Sequence, residues 1–176
     1  VDEMAKAANG ASRAISTQRV PFLSCLMGGL ENGIDARDIH KQGTKYNGSG
    51  CLIHGVSVIA DSFAAIDKLL AERPQDADKL VDALKANFKG YEELREFLLS
   101  ADKFGNNIEK VDNEAAEIAS KVADIVAGEK NYLGNPFRPD FSSPSTHLLY
   151  GYWVGATPDG RSSRDMLGYG VDPLYG

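Results

Sequence analysis

The stretch Val56-Ser-Val-Ile-Ala-Asp-Ser-Phe-Ala-Ala-Ile-Asp-Lys-Leu-Leu70 places Val56, Ile59, Phe63, Ile66 and Leu70 at three- and four-residue steps. That is the period of an α-helix with one apolar face turned to a core. The helix is predicted to end near Arg73-Pro74, since a proline disfavours helical geometry in the residue before it. Downstream, Asp76 or Asp78 starts a second helix with Leu80, Leu84 and Phe88 on one stripe and Gly90 as its stop. Tyr91, Leu94 and Leu98 carry a third helix to Ala101. Val111, Ala115, Ile118, Val122 and Ile125 carry a fourth, closed at Gly128. The middle of the chain is therefore helical.

Outward from this core the signals are more varied. Asp2 to Thr17, rich in Ala, Lys, Ser and Arg, reads as a helix with Gly10 as a weak point. Phe22-Leu-Ser-Cys-Leu-Met27 reads as a short buried run, strand or helix, which periodicity cannot separate. Thr44 to Cys51 reads as a loop with glycines at 48 and 50; it lacks the Lys-Ser/Thr ending of a P-loop and the spacing of a dinucleotide fingerprint. Beyond Asn131 the two prolines of Asn135-Pro-Phe-Arg-Pro139 argue against regular structure. His147 to Val154 is aromatic and branched, as in a buried strand. Ala156 to Arg161 is a turn around its Pro-Asp-Gly centre, with proline pre-set and glycine free to take positive φ.

Composition bounds the function. The 176 residues suit one domain, and 1–176 is taken as one unit of a larger fold, because both ends look cut. With 19 basic against 25 acidic side chains the net charge is −6, a poor basis for gripping phosphate backbones, so nucleic acid is excluded as a partner. No apolar run reaches the roughly 20 residues of a membrane-spanning helix, so an integral membrane protein is excluded too. Cys25 and Cys51 fit no zinc spacing and read as small buried thiols in a reducing, cytoplasmic setting. His40 and His54 read as surface or core residues, and the glutamates from Glu92 to Glu117 as solvated helix faces. The segment from Ser142 to Arg161 stands apart, with His147, Tyr150, Tyr152, Trp153 and a rigid turn carrying Asp159 and Arg161. Two readings of it stay open: a site at the end of an element, or a structural Asp–Arg bracket.

Read together, several stretches resemble the pyruvate formate-lyase family of glycyl radical enzymes. They are Val20-Pro-Phe-Leu-Ser-Cys-Leu-Met27, Lys45-Tyr-Asn47, the run from Val56 to Leu70, Asn87-Phe-Lys-Gly-Tyr-Glu-Glu-Leu-Arg95, Lys103-Phe-Gly-Asn106 and Gly155-Ala-Thr-Pro-Asp-Gly-Arg161. The resemblance implies a helix-rich α/β fold, part of a ten-stranded barrel of parallel strands wrapped by helices. It implies radical chemistry on a small-molecule substrate, with carbon–carbon cleavage, dehydration, decarboxylation and carbon–heteroatom cleavage all within the family's range. It also implies a thiyl radical on one loop and a glycyl radical on another, installed by a radical-SAM activating enzyme, with no cofactor bound directly, and a homodimer as the full-length form.

Neither Cys25 nor Cys51 has the context of the family's catalytic cysteine, and Gly168-Tyr-Gly170 lacks the Arg-Val-x lead of its radical loop. Both radical-bearing residues are thus expected outside this chain, and Cys51 is expected to be a packed, unreactive thiol. What remains reads as barrel wall and pocket lining, with Tyr150, His147, Thr157, Asp159 and Arg161 as candidate pocket residues. Arg161 either touches substrate or locks the turn. The sequence Arg164-Asp-Met-Leu-Gly-Tyr-Gly-Val-Asp172 departs from the family's common version, which argues against formate acetyltransferase proper. A non-catalytic helical binding or assembly module built from the same family is the alternative.

Overall fold

The computed structural model describes residues 1–38, 40, 49–141 and 147–175. The Lys45-Tyr-Asn47 motif and the glycine-loop positions up to Gly48 lie outside the described residues. The chain divides into two compact units: 1–51 with 122–140, and 52–121 with 141–176. The α-helix Glu109–Gly128 runs through the division.

The first unit holds helix α1 (Asp2–Ser16), the short helices α2 (Pro21–Leu26) and α3 (Gly29–Asn32), and strands β1 (Ser49–Leu52) and β2 (Phe137–Asp140) paired as a two-stranded sheet. In α1, Asp2 and Glu3 occupy the first turn and Arg13 the last, which suits the helix dipole. The predicted buried run from Phe22 is instead a helix with its apolar side chains outward: Phe22 is 79% exposed and Leu26 71%. Its one buried residue is Ser24, whose hydroxyl donates to Val20 O and accepts from Ala36 N–H. Helix α3 lies so close that a Cβ on Gly29 would sit 2.6 Å from Ser24 O, so the small polar residue, not the large apolar ones, faces inward. Cys25 is exposed, against expectation, and Cys51 lies on β1 rather than in a loop. The prolines around Phe137 do not prevent a strand either. Pro139 sits in β2, where a two-stranded sheet leaves free edges that need no donor from it.

The second unit holds α4 (Val56–Glu72), a 3₁₀ turn (Pro74–Lys79), α5 (Leu80–Lys85), α6 (Glu92–Leu99), the first part of α7 (Glu109–Gly128) and α8 (His147–Trp153). The four helices predicted from periodicity are present, and α4 ends at Glu72 with Arg73 as its C-cap, near Arg73-Pro74 as expected. Its buried face is turned from the predicted one. Ile59, Phe63 and Leu70 are 42–55% exposed, whereas Ser57, Ala60, Asp61, Ala64, Ala65 and Leu69 are buried. Small side chains allow neighbouring elements to approach closely, and two clusters result. Ala65 and Leu69 join Ala83, Phe88, Leu94 and Leu98, while Val56, Ala60 and Ala64 join Val111 and Ala115.

The aromatic segment from His147 is a helix, not a buried strand, and Trp153 is 76% exposed. Gly151 explains the choice. A Cβ there would meet Asp165 O at 2.3 Å, so the backbone of 165–167 packs flat against the glycine and the aromatic side chains are turned away. Strand propensity measures fit to a half-buried pleated surface, and no such surface is offered here.

Candidate functional site

The turn after α8 closes on itself. Gly160 takes φ +95°, and a Cβ there would lie 2.5 Å from Leu99 Cγ, so both conformation and space demand glycine. Gly160 N–H donates to Thr157 O at 3.0 Å, and Thr157 N–H to Arg161 O at 3.1 Å. The Thr157 hydroxyl donates to Asp159 Oδ1, which also accepts from Arg161 N–H.

Arg161 is 2% exposed, and its guanidinium is fully engaged. Its Nε–H donates to Thr157 Oγ1 at 3.2 Å, and Nη1 donates to Ser162 O at 3.1 Å and Asp165 O at 2.7 Å. Nη2 donates to Val154 O and Gly155 O. Each of its five N–H groups has an oxygen. One planar cation thereby ties the end of α8 to the turn and to the segment after it.

Three charged residues from elsewhere in the second unit complete this clasp. Arg95 Nε–H donates to Gly160 O at 2.9 Å, and Lys103 Nζ donates to Leu98 O at 3.0 Å and Asp159 O at 3.3 Å. Asp61, with no exposure, accepts Phe104 N–H at 2.6 Å. Burial pushes its carboxyl up to about 6, with the charge of Asp159 adding to the rise and Phe104 N–H and Lys103 opposing it. Burial lowers Lys103, with Asp61 and Asp159 pulling the other way. Tyr175, whose ring lies 5.4 Å from Lys103 Nζ, has its hydroxyl pushed up by burial and by the same two carboxylates. Beside the clasp, Arg161, Asp165, Met166, Leu174 and Tyr175 line a cavity of about 320 Å³.

The other two candidates lie on α8. The Tyr150 ring is 4.8 Å from that of His54 and tilted against it, and His147 stands edge-on to Tyr169 at 4.9 Å. The structure therefore gathers Thr157, Asp159 and Arg161 into one clasp and pairs His147 and Tyr150 with other rings. Sequence reasoning missed Asp61, Arg95, Lys103 and Tyr175 as parts of the clasp. A signal existed for Asp61: it falls among Ser57, Ala60, Ala64 and Ala65 on the small-residue side of α4, where a solvated acid has no place.

Cys51 lacks the setting of a reactive thiolate. Burial raises the Cys51 thiol, and its Sγ lies 3.9 Å from Met4 Sδ.

Residues 2–151 match the family model described as pyruvate formate lyase-like. The chain is 34% identical over 125 residues to isethionate sulfite-lyase of Bilophila wadsworthia, covering 69% of this chain and 15% of that protein. It superposes on a glycyl radical enzyme of Archaeoglobus fulgidus with a TM-score of 0.86 at 29% identity, covering 98% of this chain and 22% of that one. It superposes equally on the glycerol-bound B12-independent glycerol dehydratase of Clostridium butyricum, with a TM-score of 0.86 at 34% identity and the same coverage. The chain thus spans between 15% and 22% of the length of these proteins. It belongs to the pyruvate formate-lyase-like family of glycyl radical enzymes.

Proposed function

We propose that, as a member of this family, the chain is part of an anaerobic glycyl radical lyase or dehydratase that acts on a small organic substrate. The match across residues 2–151, with a lyase and a dehydratase among the similar proteins, carries this reading. It favours lyase or dehydratase chemistry over the formate acetyltransferase type, in keeping with the departure from the common sequence at 164–172. The residues here do not fit the radical-bearing positions: Cys51 is buried with a raised thiol, and Gly168-Tyr-Gly170 lacks the radical-loop lead. Those positions are assigned to other parts of the enzyme, together with activation by a radical-SAM enzyme and a dimeric, cytoplasmic form.

Within that enzyme the chain builds and holds a wall. A carbon radical survives only where water and oxygen are excluded, so the pocket must be lined by elements that do not open. The clasp is suited to such a wall, because Arg161 uses every donor on nearby oxygens while Arg95 and Lys103 anchor the turn from α6 and the segment after it. In this reading Thr157, Asp159 and Arg161 shape the loop at the barrel mouth, and His147 and Tyr150 offer polar groups to substrate. The test is anaerobic activation of the full-length enzyme with glycerol or isethionate as substrate. The expected result is a glycyl radical signal by electron paramagnetic resonance and turnover of a small hydroxylated or sulfonated substrate. A preparation that forms no radical under those conditions overturns the reading.

A further inference from the structure

The segment 103–106 ties together four groups of the second unit. Lys103 Nζ donates to Leu98 O and Asp159 O, and Phe104 N–H holds Asp61 through Oδ1. Asn106 Nδ2 donates to Tyr175 O at 2.8 Å, and a Cβ on Gly105 would fall 2.1 Å from Pro173 Cγ, so the segment 173–175 lies close against this turn. The Tyr175 ring is thereby set beside the Lys103 ammonium.

Hydrogen-bond accounting leaves a definite remainder among these groups. Oδ1 of Asp61 accepts from Phe104, and Oδ1 of Asp159 accepts from Thr157 and Arg161. Oδ2 of each is buried without a partner, in side chains that have no exposure. Lys103, itself buried, spends two ammonium protons on main-chain carbonyls, which leaves the third over. It makes no ion pair with either carboxylate, although the charges of both act on it. The three groups feel one another without bonding directly. Two acceptors and one donor remain.

A group that closes this account gives two protons and takes one. A metal ion gives none and would sit beside an ammonium. An anion takes protons only and would face two carboxylates. An alcohol has a single proton to give, and a proton shared between the carboxylates leaves Lys103 unanswered. Water gives two and takes one, and three bonds are the usual number for a buried water. Tyr175 also borders the cavity beside Arg161, which offers water a way in.

We propose that Asp61, Asp159 and Lys103 bind one structural water, which donates to both Oδ2 atoms and accepts from Nζ, with the Tyr175 ring between it and the cavity. Bonded to three buried charged groups, this water is part of the clasp and links α4 to the turn at 157–161 without a direct contact between them. The inference goes beyond the proposed function and does not rest on it.

The experiment is a crystal structure of the 176-residue chain at a resolution that shows ordered water, paired with oxygen-17 relaxation dispersion in solution. The expected result is one density peak within about 3.2 Å of Asp61 Oδ2, Asp159 Oδ2 and Lys103 Nζ. In solution Asp61→Leu, which removes one acceptor at similar size, is expected to lower the dispersion amplitude by that of one long-lived water. Should Asp61→Leu fail to fold, the wild-type structure decides alone. The proposal is overturned by direct contact between the two Oδ2 atoms, by Lys103 Nζ bonded to either of them, by a metal ion at the peak, by no density there, or by an unchanged amplitude in folded Asp61→Leu.

Discussion

The turn at 157–161 and helix α8 are chain neighbours, yet they answer opposite questions. In the turn Asp159 and Arg161 are buried and every guanidinium donor is used, with Asp159 Oδ2 left without a partner; on α8 the aromatic rings are exposed and the one buried residue is a glycine. The turn is determined by its own residues: proline sets one φ, glycine supplies the left-handed one, and the arginine collects the freed carbonyls. The helix is determined by what packs against Gly151. Local chemistry can be read from a few residues, whereas a face is known only once its neighbour is known.

The sharpest way to break this contrast is to open the turn. Arg161→Ala leaves several buried carbonyls without donors and a void where the guanidinium lay, which is expected to cost about 4 kcal/mol or more in urea unfolding. Arg161→Lys should recover little, because a point charge cannot serve acceptors spread around a plane. If either variant unfolds like wild type, the clasp is not what holds this region.

Lys103→Met is expected to follow, at about 3 kcal/mol, since it leaves Asp61 and Asp159 buried beside one less cation. Its deficit should grow as pH rises and Asp61 ionises. A pH-independent loss would show that Lys103 acts through packing alone.

Asp61 gives a third test. Its folded carboxyl sits at about 6, above the ordinary 3.8, so the folded state binds its proton more tightly than the unfolded chain. The stabilisation from that proton is present below about pH 4 and is lost as pH rises towards 6, by on the order of 2 kcal/mol. Asp61→Asn, which still accepts Phe104 N–H, should flatten this part of the stability–pH profile. An unchanged slope would place its origin elsewhere.

The smallest effect belongs to α8. Trp153→Ser removes a side chain that is 76% exposed, so the stability of this chain should change by no more than about 0.5 kcal/mol. A larger loss would mean that the ring packs in solution, and the contrast with the turn would narrow.

The same distinction decides how much could be read beforehand. Helices α4 to α7 were legible from apolar spacing and from their proline and glycine stops, and the Thr157–Arg161 turn from its residue types. The buried side of α4 was not, because large apolar residues mark a face that could be covered, while the neighbours took the small-residue face. Helix α2 misled for a related reason: Ser24 meets Gly29 and Ala36, while Phe22, Leu23 and Leu26 stay exposed among the described residues. Of the candidate site, the turn residues were visible as a local motif. Lys103 and Arg95 were not, since their roles depend on contacts distant in sequence, and Asp61 was marked only by its place on the small-residue side of α4.

That distance has a consequence for the order of assembly. Arg95 reaches Gly160 across 65 residues, Lys103 reaches Asp159 across 56, and Asp61 reaches Phe104 across 43. During synthesis α4 and α6 emerge well before the turn exists, so Lys103 and Arg95 stay hydrated until the last of their acceptors leaves the ribosome. Only then can the chain close the two loops that end in the turn, whose entropic cost grows with the logarithm of their length. The helices can form early from local contacts, but the clasp is a late, non-local event, of the kind that slows folding. A nascent chain stalled before Thr157 would hold the α4–α6 helices with Lys103 and Arg95 still waiting for the turn.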